Sequence, residues 1–156
     1  MKAHSEERIA YLAALSILFS AAELFIPKPL PFFRLGLANI PILISLDMPI
    51  RDFMVLLLLK SAASSYISGN LFSPFLLLSA AQTIIAGLVM KLIGKLGSRW
   101  ISRYGISAAG ALSSAAVQLA FTSAYLGPAV LSYTPLMLIL SLLSSILTAC
   151  ISYRID

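Results

Sequence analysis

The sequence predicts an all-α membrane protein, a single integral membrane domain over residues 1–156 that forms a six-transmembrane-helix bundle with both termini cytoplasmic. The first observation behind this prediction is composition, since 60% of the residues are hydrophobic and 11% are charged. A soluble domain carries about 25% charged residues, so this chain has too few to cover a water-facing surface. A mean hydropathy of +0.96 agrees. Composition excludes a soluble enzyme, a nucleic-acid-binding protein and a disordered tail.

The spacing of the charges is the second observation. Residues 61–90 and 104–153 contain no Asp, Glu, Lys or Arg, and a transmembrane helix needs roughly 20 apolar residues. A shorter apolar run at 9–22 lacks a small-residue cleavage site and continues into more apolar sequence, so we expect a first transmembrane helix there and not a signal peptide. Together these runs predict six helices, at about 8–26, 36–46, 52–68, 73–93, 105–126 and 133–153.

Helix-breaking residues separate the predicted helices in order. Helix 1 ends after Glu23 at a loop with prolines at 27, 29 and 31, which interrupt a helix. Helices 2 and 3 are short for a full span, so we expect one or both to be tilted, unwound at an end or buried by neighbours. Residues 68–70 precede helix 4, a basic loop precedes helix 5, and Gly127-Pro128 separates helices 5 and 6.

The basic residues predict the orientation, because loops rich in Lys and Arg stay in the cytoplasm. The loop between helices 4 and 5 is basic and contains no acid, and six spans then place both termini on the same side. Most of the eleven basic residues fall inside: Lys2, Arg8, Arg51, Lys91, Lys95, Arg99, Arg103 and Arg154. The others are Lys28 and Arg34 in the outer loop and Lys60 within helix 3. The high pI is therefore a topology signal, and we expect no nucleic acid as a partner.

Lys60 is the first candidate for function, because charged side chains are expensive at membrane depth. It lies near the middle of helix 3, beside small residues at 61–65 of the kind found where helices pack closely. One interpretation is a cation that holds an anionic ligand or pairs with a carboxylate inside the bundle. The other is a lysine that snorkels to an interface or pairs only structurally.

Further polar residues are placed along the predicted helices. Glu23, near the outer end of helix 1, could pair with a basic residue of the outer loop, contact a ligand, or lie as a helix-end charge among the headgroups. Gln82 and Gln118 lie near the middle of helices 4 and 5, and Asn39 and Asn70 near the outer ends of helices 2 and 3. Each alone is explained by interhelical hydrogen bonding. Their convergence on an outward-facing cavity would form a site.

Helix 1 also carries an Ala-x-x-x-Ala pair, Ala10 and Ala14, on one face. Small residues let another helix approach closely, either inside this bundle or in a partner membrane protein.

No enzymatic constellation accompanies these residues. The chain has one His, His4, and one Cys, Cys150, with no phosphate-binding glycine loop and no nucleophile motif. We therefore expect no catalytic residue, no metal and no cofactor, and any ATP coupling must come from a partner.

Three segments carry a resemblance to a known family. They are Pro-Phe-Phe-Arg-Leu-Gly-Leu-Ala-Asn-Ile-Pro at 31–41, Leu-Phe-Ser-Pro-Phe-Leu-Leu-Leu-Ser at 71–79 and Tyr-Gly-Ile-Ser-Ala-Ala-Gly-Ala at 104–111. They resemble the Gx transporter family, also labelled heptaprenyl diphosphate synthase component I, over nearly the whole chain. That family is similar to the substrate-binding S components of energy-coupling factor (ECF) transporters.

The resemblance implies a multi-pass protein of the bacterial inner membrane that binds a small molecule, with an anionic ligand as one option. It implies an outer loop at 27–36 that covers the ligand, with Phe32 and Phe33 as an apolar lid, and Ala10 and Ala14 as the face that docks a T component beside an ATPase. The predicted substrate-binding residues are then Glu23, Phe32, Phe33, Arg34, Asn39, Lys60, Asn70, Gln82 and Gln118.

One departure bears on the ligand. Relatives carry a His-Asn pair on helix 5 before the Gln, whereas this chain has Ser114-Ala115 and keeps Gln118, so the resemblance leaves the substrate open. The family label implies an alternative function, a membrane-anchored accessory subunit of isoprenoid synthesis. A purely structural assembly subunit is the third possibility.

Overall fold

The structure is a computed structural model that describes residues 2–26, 36–69, 72–97 and 100–155. The described residues form helices and turns only. The α-helices are α1 (Lys2–Phe25), α2 (Ile40–Ile44), α3 (Ile50–Ile67), α4 (Pro74–Leu96), α5 (Arg103–Leu126) and α6 (Thr134–Ile155). Two short 3₁₀ helices, Leu37–Asn39 and Pro128–Tyr133, precede α2 and α6.

Three helical segments are long and apolar enough to cross a membrane. They are Leu76–Leu96, Arg103–Leu126 and Pro128–Ile155, with mean hydropathies of 1.9, 1.2 and 2.1. Helix α3 has 18 residues and carries Arg51, Asp52 and Lys60 within them. The chain is therefore membrane-embedded, and the prediction of an all-helical membrane protein is confirmed.

Helix α2 differs from the predicted helix 2 at 36–46. It has five residues, so it is about 7.5 Å long at 1.5 Å per residue, and it does not cross a hydrocarbon core of about 30 Å. Burial by neighbours, one of the outcomes expected for this helix, is what the structure has: Ile40 and Ile42 are fully buried. The reason is that α2 touches each of the five longer helices.

The longer helices are arranged around α2 in chain order. Helix α3 packs between α1 and α4, and α5 packs between α4 and α6. Glycines permit two of these close approaches, because a Cβ at Gly87 would meet the Leu57 side chain at 2.7 Å and one at Gly110 would meet Met90 at 2.0 Å. Residues of α2, α3, α4, α5 and α6 share one apolar core: Ile42, Leu43, Phe53, Leu57, Met90, Ile106 and Ala149.

Four of the eight basic residues predicted to lie inside, Arg8, Lys91, Lys95 and Arg103, meet at one end of the bundle, which we call the basic end. It comprises the start of α1, the link between α2 and α3, the end of α4 and the start of α5. Arg8 pairs with Asp47 of the link at 2.8 Å, and the ammonium of Lys91 donates to the carbonyl oxygens of Leu46 at 2.9 Å and Met48 at 2.6 Å. The charges that predict the orientation therefore lie together in space.

Candidate functional site

Lys60 is buried inside the bundle, with 6% of its surface exposed. Its Nζ atom donates a hydrogen bond to Oδ1 of Asn39, which lies at the end of the 3₁₀ turn before α2. A buried ammonium is tolerated only when hydrogen-bonded, so this contact both satisfies the cation and fixes the orientation of the Asn39 carboxamide. The interpretation of Lys60 as a residue that snorkels to the surface is wrong, because its side chain turns inward.

Glu23 is held by a hydrogen bond from the backbone of the turn that leads to Asn39. It is 7% exposed, and its Oε1 accepts a hydrogen bond of 3.2 Å from the Gly36 N–H. Gly36 has a φ of 79°, a left-handed conformation that L side chains rarely adopt. A Cβ there would also lie 3.1 Å from Nδ2 of Asn39. Gly36 thus allows the turn at 36–39 to make two contacts. Its own N–H binds Glu23, and the Asn39 side chain binds Lys60.

Helices α4 and α5 contribute amide groups from the opposite wall. Nε2 of Gln82 donates to Oε1 of Gln118 at 3.0 Å and approaches the Ser114 carbonyl oxygen at 3.4 Å. Gln82 and Gln118 are 5% and 3% exposed. The pair fixes the Gln82 carboxamide between the two helices, so its orientation is set before any ligand arrives.

These walls enclose a cavity of about 50 Å³, which we call the central cavity. Its volume is enough for one or two water molecules and falls below the range of about 300–1,000 Å³ typical of ligand pockets. A metabolite therefore needs this cavity to widen. The described residues that line it are Glu23, Gly36, Ala38, Asn39, Lys60, Ser64, Gln82, Thr83 and Ser114.

The central cavity lies near half the depth of the bundle. Gln82 is nine residues from Lys91 and Ser114 is eleven residues from Arg103, and both Lys91 and Arg103 belong to the basic end. At 1.5 Å per residue Gln82 and Ser114 lie about 13–17 Å from that end, half the thickness of a hydrocarbon core of about 30 Å. Glu23, 15 residues from Arg8 on α1, lies about 22 Å from it. The amide side of the central cavity is thus at mid-depth, and its carboxylate lies farther from the basic end.

The structure brings together Glu23, Asn39, Lys60 and Gln82, four of the predicted site residues, around the central cavity. Gln118 lies behind Gln82 and supports it. Phe32, Phe33, Arg34 and Asn70 lie outside the described residues. The predicted substrate-binding residues did not include Gly36, Ser64, Thr83 or Ser114, although Thr83 and Ser114 lie on the same polar helices as Gln82 and Gln118, and Gly36 lies in the segment at 31–41 that carries the family resemblance.

Ala10 and Ala14 are both exposed on α1, whereas Leu12 and Ser16 on the opposite face are buried. The pair therefore does not serve close packing within the described residues. Sequence reasoning missed a second pair of exposed alanines four residues apart, Ala116 and Ala120 on α5.

Ligands for a metal are not grouped in the part of the chain that the structure describes: no three His, Cys, Asp or Glu residues come together there. The polar groups of the central cavity suit hydrogen bonding and ion pairing with an organic molecule.

Apolar helices that can cross a membrane and a polar cluster at their mid-depth define an integral membrane protein. The chain belongs to the heptaprenyl diphosphate synthase component I family, because a family model with that description matches residues 12–155. The family resemblance drawn from the sequence is confirmed. No curated protein and no solved structure matches the chain significantly.

Proposed function

We propose that this protein is the substrate-binding membrane subunit of an ECF-type uptake transporter. It captures a small molecule from outside and delivers it inward together with a T component and an ATPase. The observation that carries the proposal is the central cavity, where the buried Lys60 ammonium faces Asn39, Glu23 and Gln82 at mid-depth. Polar groups at this depth are costly and typically mark a substrate pathway.

The lining chemistry favours a polar ligand. The Lys60 ammonium can pair with an anionic group, Glu23 can accept from a donor, and the Gln82 and Asn39 carboxamides add directional hydrogen bonds. Since Lys60 and Gln82 already have partners in the structure, a ligand exchanges these contacts for its own. The walls can thus form the same number of hydrogen bonds in the empty and the loaded states.

Transport by this chain requires two changes of shape. The central cavity of about 50 Å³ must widen to admit a metabolite, and the bound molecule must then become accessible from the other side. Sites near the midplane that open alternately to each side are the general solution for transporters. Six crossings of the membrane, of which the five-residue α2 alone cannot make the second, cytoplasmic termini and a lid formed by Phe32 and Phe33 complete the proposal.

The proposal also assigns the chain no chemical step. The sequence contains no nucleotide-binding motif, so the energy for release comes from the ATPase partner. In this proposal the described groups around the central cavity bind and orient a molecule and take no part in making or breaking bonds.

The family description supports a second candidate, an accessory subunit that holds a heptaprenyl diphosphate synthase at the membrane. In that case the catalytic residues belong to a soluble partner, and Lys60 has a structural role.

Affinity purification of the tagged protein from its own cells distinguishes the two candidates. The transporter proposal expects a T component and an ATPase in the eluate, and uptake of one nutrient that falls at least tenfold in the Lys60→Met strain but not in an Arg154→Gln strain. A soluble prenyltransferase in the eluate, with no uptake that depends on this protein, would overturn the proposal in favour of the accessory subunit.

A further inference from the structure

A cavity larger than the central cavity lies at the basic end and not at the predicted ligand site. Its volume is about 720 Å³, within the range of small-molecule pockets, and we call it the basic-end cavity. Four of its lining residues are cationic, Arg8, Lys91, Lys95 and Arg103, against one described acid, Asp47. The remaining described lining is apolar or glycine: Leu43, Ile44, Leu46, Met48, Gly94, Ile101 and Ile106.

The four cations have different roles. Arg8 forms two hydrogen bonds with the Asp47 carboxylate, at 2.8 and 3.0 Å, so this pair is close to neutral. Lys91 donates to two carbonyl oxygens of the α2–α3 link and lies over the Phe53 ring at 4.4 Å. Its ammonium has three donors, so one remains for a ligand.

Lys95 and Arg103 complete a cluster that favours an anion. Lys91 and Lys95 are four residues apart on α4, where like charges repel. Arg103 is the first residue of α5, and the partial positive charge of a helix start disfavours a cation there. Arg103 also lies over the Tyr153 ring, 5.1 Å from its centroid. An anion that joins the three cations offsets the repulsion between Lys91 and Lys95.

The position of the basic-end cavity indicates that the anion is part of a membrane lipid. The apolar segment of α4 ends at Leu96 and that of α5 begins at Arg103, so the cavity opens where helices leave the hydrocarbon core. Trp100 is 91% exposed and Leu96 77% exposed beside it, and exposed Trp is typical of the membrane interface. A lining of four cations together with apolar side chains fits a molecule with a phosphate head and a hydrocarbon chain.

We propose that the basic-end cavity binds the phosphate headgroup of an anionic membrane lipid through Lys91, Lys95 and Arg103. This site is separate from the central cavity and does not depend on the proposed transport function. Lipid binding there would hold the α4–α5 loop and the α2–α3 link together at the membrane surface.

Thermal unfolding of the purified full chain in neutral detergent tests the proposal. Phosphatidylglycerol is titrated into the micelles, with phosphatidylcholine as the zwitterionic lipid and inorganic phosphate as the soluble source. We expect a saturable rise in Tm with phosphatidylglycerol that neither of the others reproduces. Each charge near a membrane surface changes affinity about fivefold, so the Lys95→Gln, Arg103→Gln double variant should bind phosphatidylglycerol about 25-fold more weakly.

The matched control removes two exposed charges outside the cavity, Arg51→Gln with Arg154→Gln. It has the same net charge as the cavity variant and should keep the wild-type affinity. Equal weakening in both double variants, or an equal response to both lipids, would overturn the site. An equal rise in Tm with inorganic phosphate would overturn the lipid as the source.

Discussion

The contact between Lys60 and Asn39 determines how the central cavity is held together. Asn39 supplies the acceptor for a buried ammonium, and a hydrogen bond to a charged group contributes about 1.5–3 kcal/mol. Asn39→Leu should therefore lower the free energy of unfolding by about that amount. The same change in a Lys60→Met background should cost less, because the cation that needs the acceptor is gone.

A double-mutant cycle measured by thermal unfolding in detergent gives this coupling. A coupling of about 1 kcal/mol or more is expected for the pair. Additive effects of the two substitutions would contradict a direct interaction between these side chains.

Gly36 and Gly69 form a natural comparison, since both have positive φ angles, 79° and 68°. An alanine at either position should cost about 1–2 kcal/mol for the left-handed backbone. At Gly36 the new Cβ would also press on Asn39, 3.1 Å away, whereas at Gly69 nothing lies within 4 Å. Gly36→Ala should lose more stability than Gly69→Ala and should also weaken ligand binding at Lys60. Equal losses in unfolding measurements, with ligand binding intact in both variants, would show that Gly36 does not position Asn39.

The sequence could predict the chemistry of the central cavity in part. Lys60 is recognisable because a charge stands out in an apolar segment, and Gln82 because a polar carboxamide does. Gly36 and Ser114 were not among the predicted substrate-binding residues, because a glycine alone does not indicate which contact its turn allows, and a backbone carbonyl directed at a side chain has no signature in residue type.

At the scale of the helices, the ion pair between Arg8 of α1 and Asp47 of the α2–α3 link makes the stability of the fold depend on pH. Arg8 lowers the pKa of Asp47, mainly by donating hydrogen bonds to its carboxylate. A lowered folded pKa means that the pair stabilises the fold above the ordinary pKa of about 3.9, and that this contribution is lost as the pH falls through the folded pKa. Both side chains are substantially exposed, Arg8 by 43% and Asp47 by 64%, so the pair contributes at most about 1 kcal/mol to the free energy of unfolding.

Asp47→Asn should therefore lower the Tm at pH 7 and have no effect at a pH below the folded pKa of Asp47. Thermal scans from pH 7 to about pH 2 check this, because the folded pKa of Asp47 lies below its ordinary value, with Asp52→Asn as a control that leaves the Arg8 contact in place. A difference between wild type and Asp47→Asn that is constant across this range would contradict the role of the pair.

Helices α4, α5 and α6 were predicted to within a few residues, because long uncharged runs and a Gly-Pro break define them. Helix α2 was predicted too long. It is apolar on every side because it is buried by its neighbours, and composition alone does not distinguish such a segment from one that faces lipid. Burial of a helix by other helices is a tertiary property that local sequence does not encode.

At the scale of the whole molecule, the exposed pair Ala10 and Ala14 predicts where a partner helix docks. Replacing both by Leu should block close approach and reduce co-purification of the partner at least tenfold. Since both side chains are exposed, the Tm of the isolated protein should change little. The matched control replaces Ala116 and Ala120 on α5 with Leu and should keep the partner. Loss of the partner in the α5 variant alone would place the docking face on α5.

The two cavities lie at different depths, measured from the basic end of the molecule. The basic end gathers the charges of four segments on one side of the membrane, and the central cavity lies about half a membrane away. In the proposed transport function a substrate meets the central cavity from the opposite side, and in the proposed lipid site a phosphate headgroup occupies the basic-end cavity.

The central claim is that Lys60 binds substrate, and ligand-induced stabilisation tests it most directly. Purified protein is heated with a panel of vitamins, nucleobases and organic acids, alongside Lys60→Met and the control Arg154→Gln. A ligand at a hundredfold excess over its Kd stabilises the folded state by about 2.7 kcal/mol, which raises the Tm by about 5 °C or more. We predict such a rise for at least one compound in wild type and in Arg154→Gln, and none in Lys60→Met. A compound that stabilises Lys60→Met as strongly as wild type, or no response across the panel, would contradict the account.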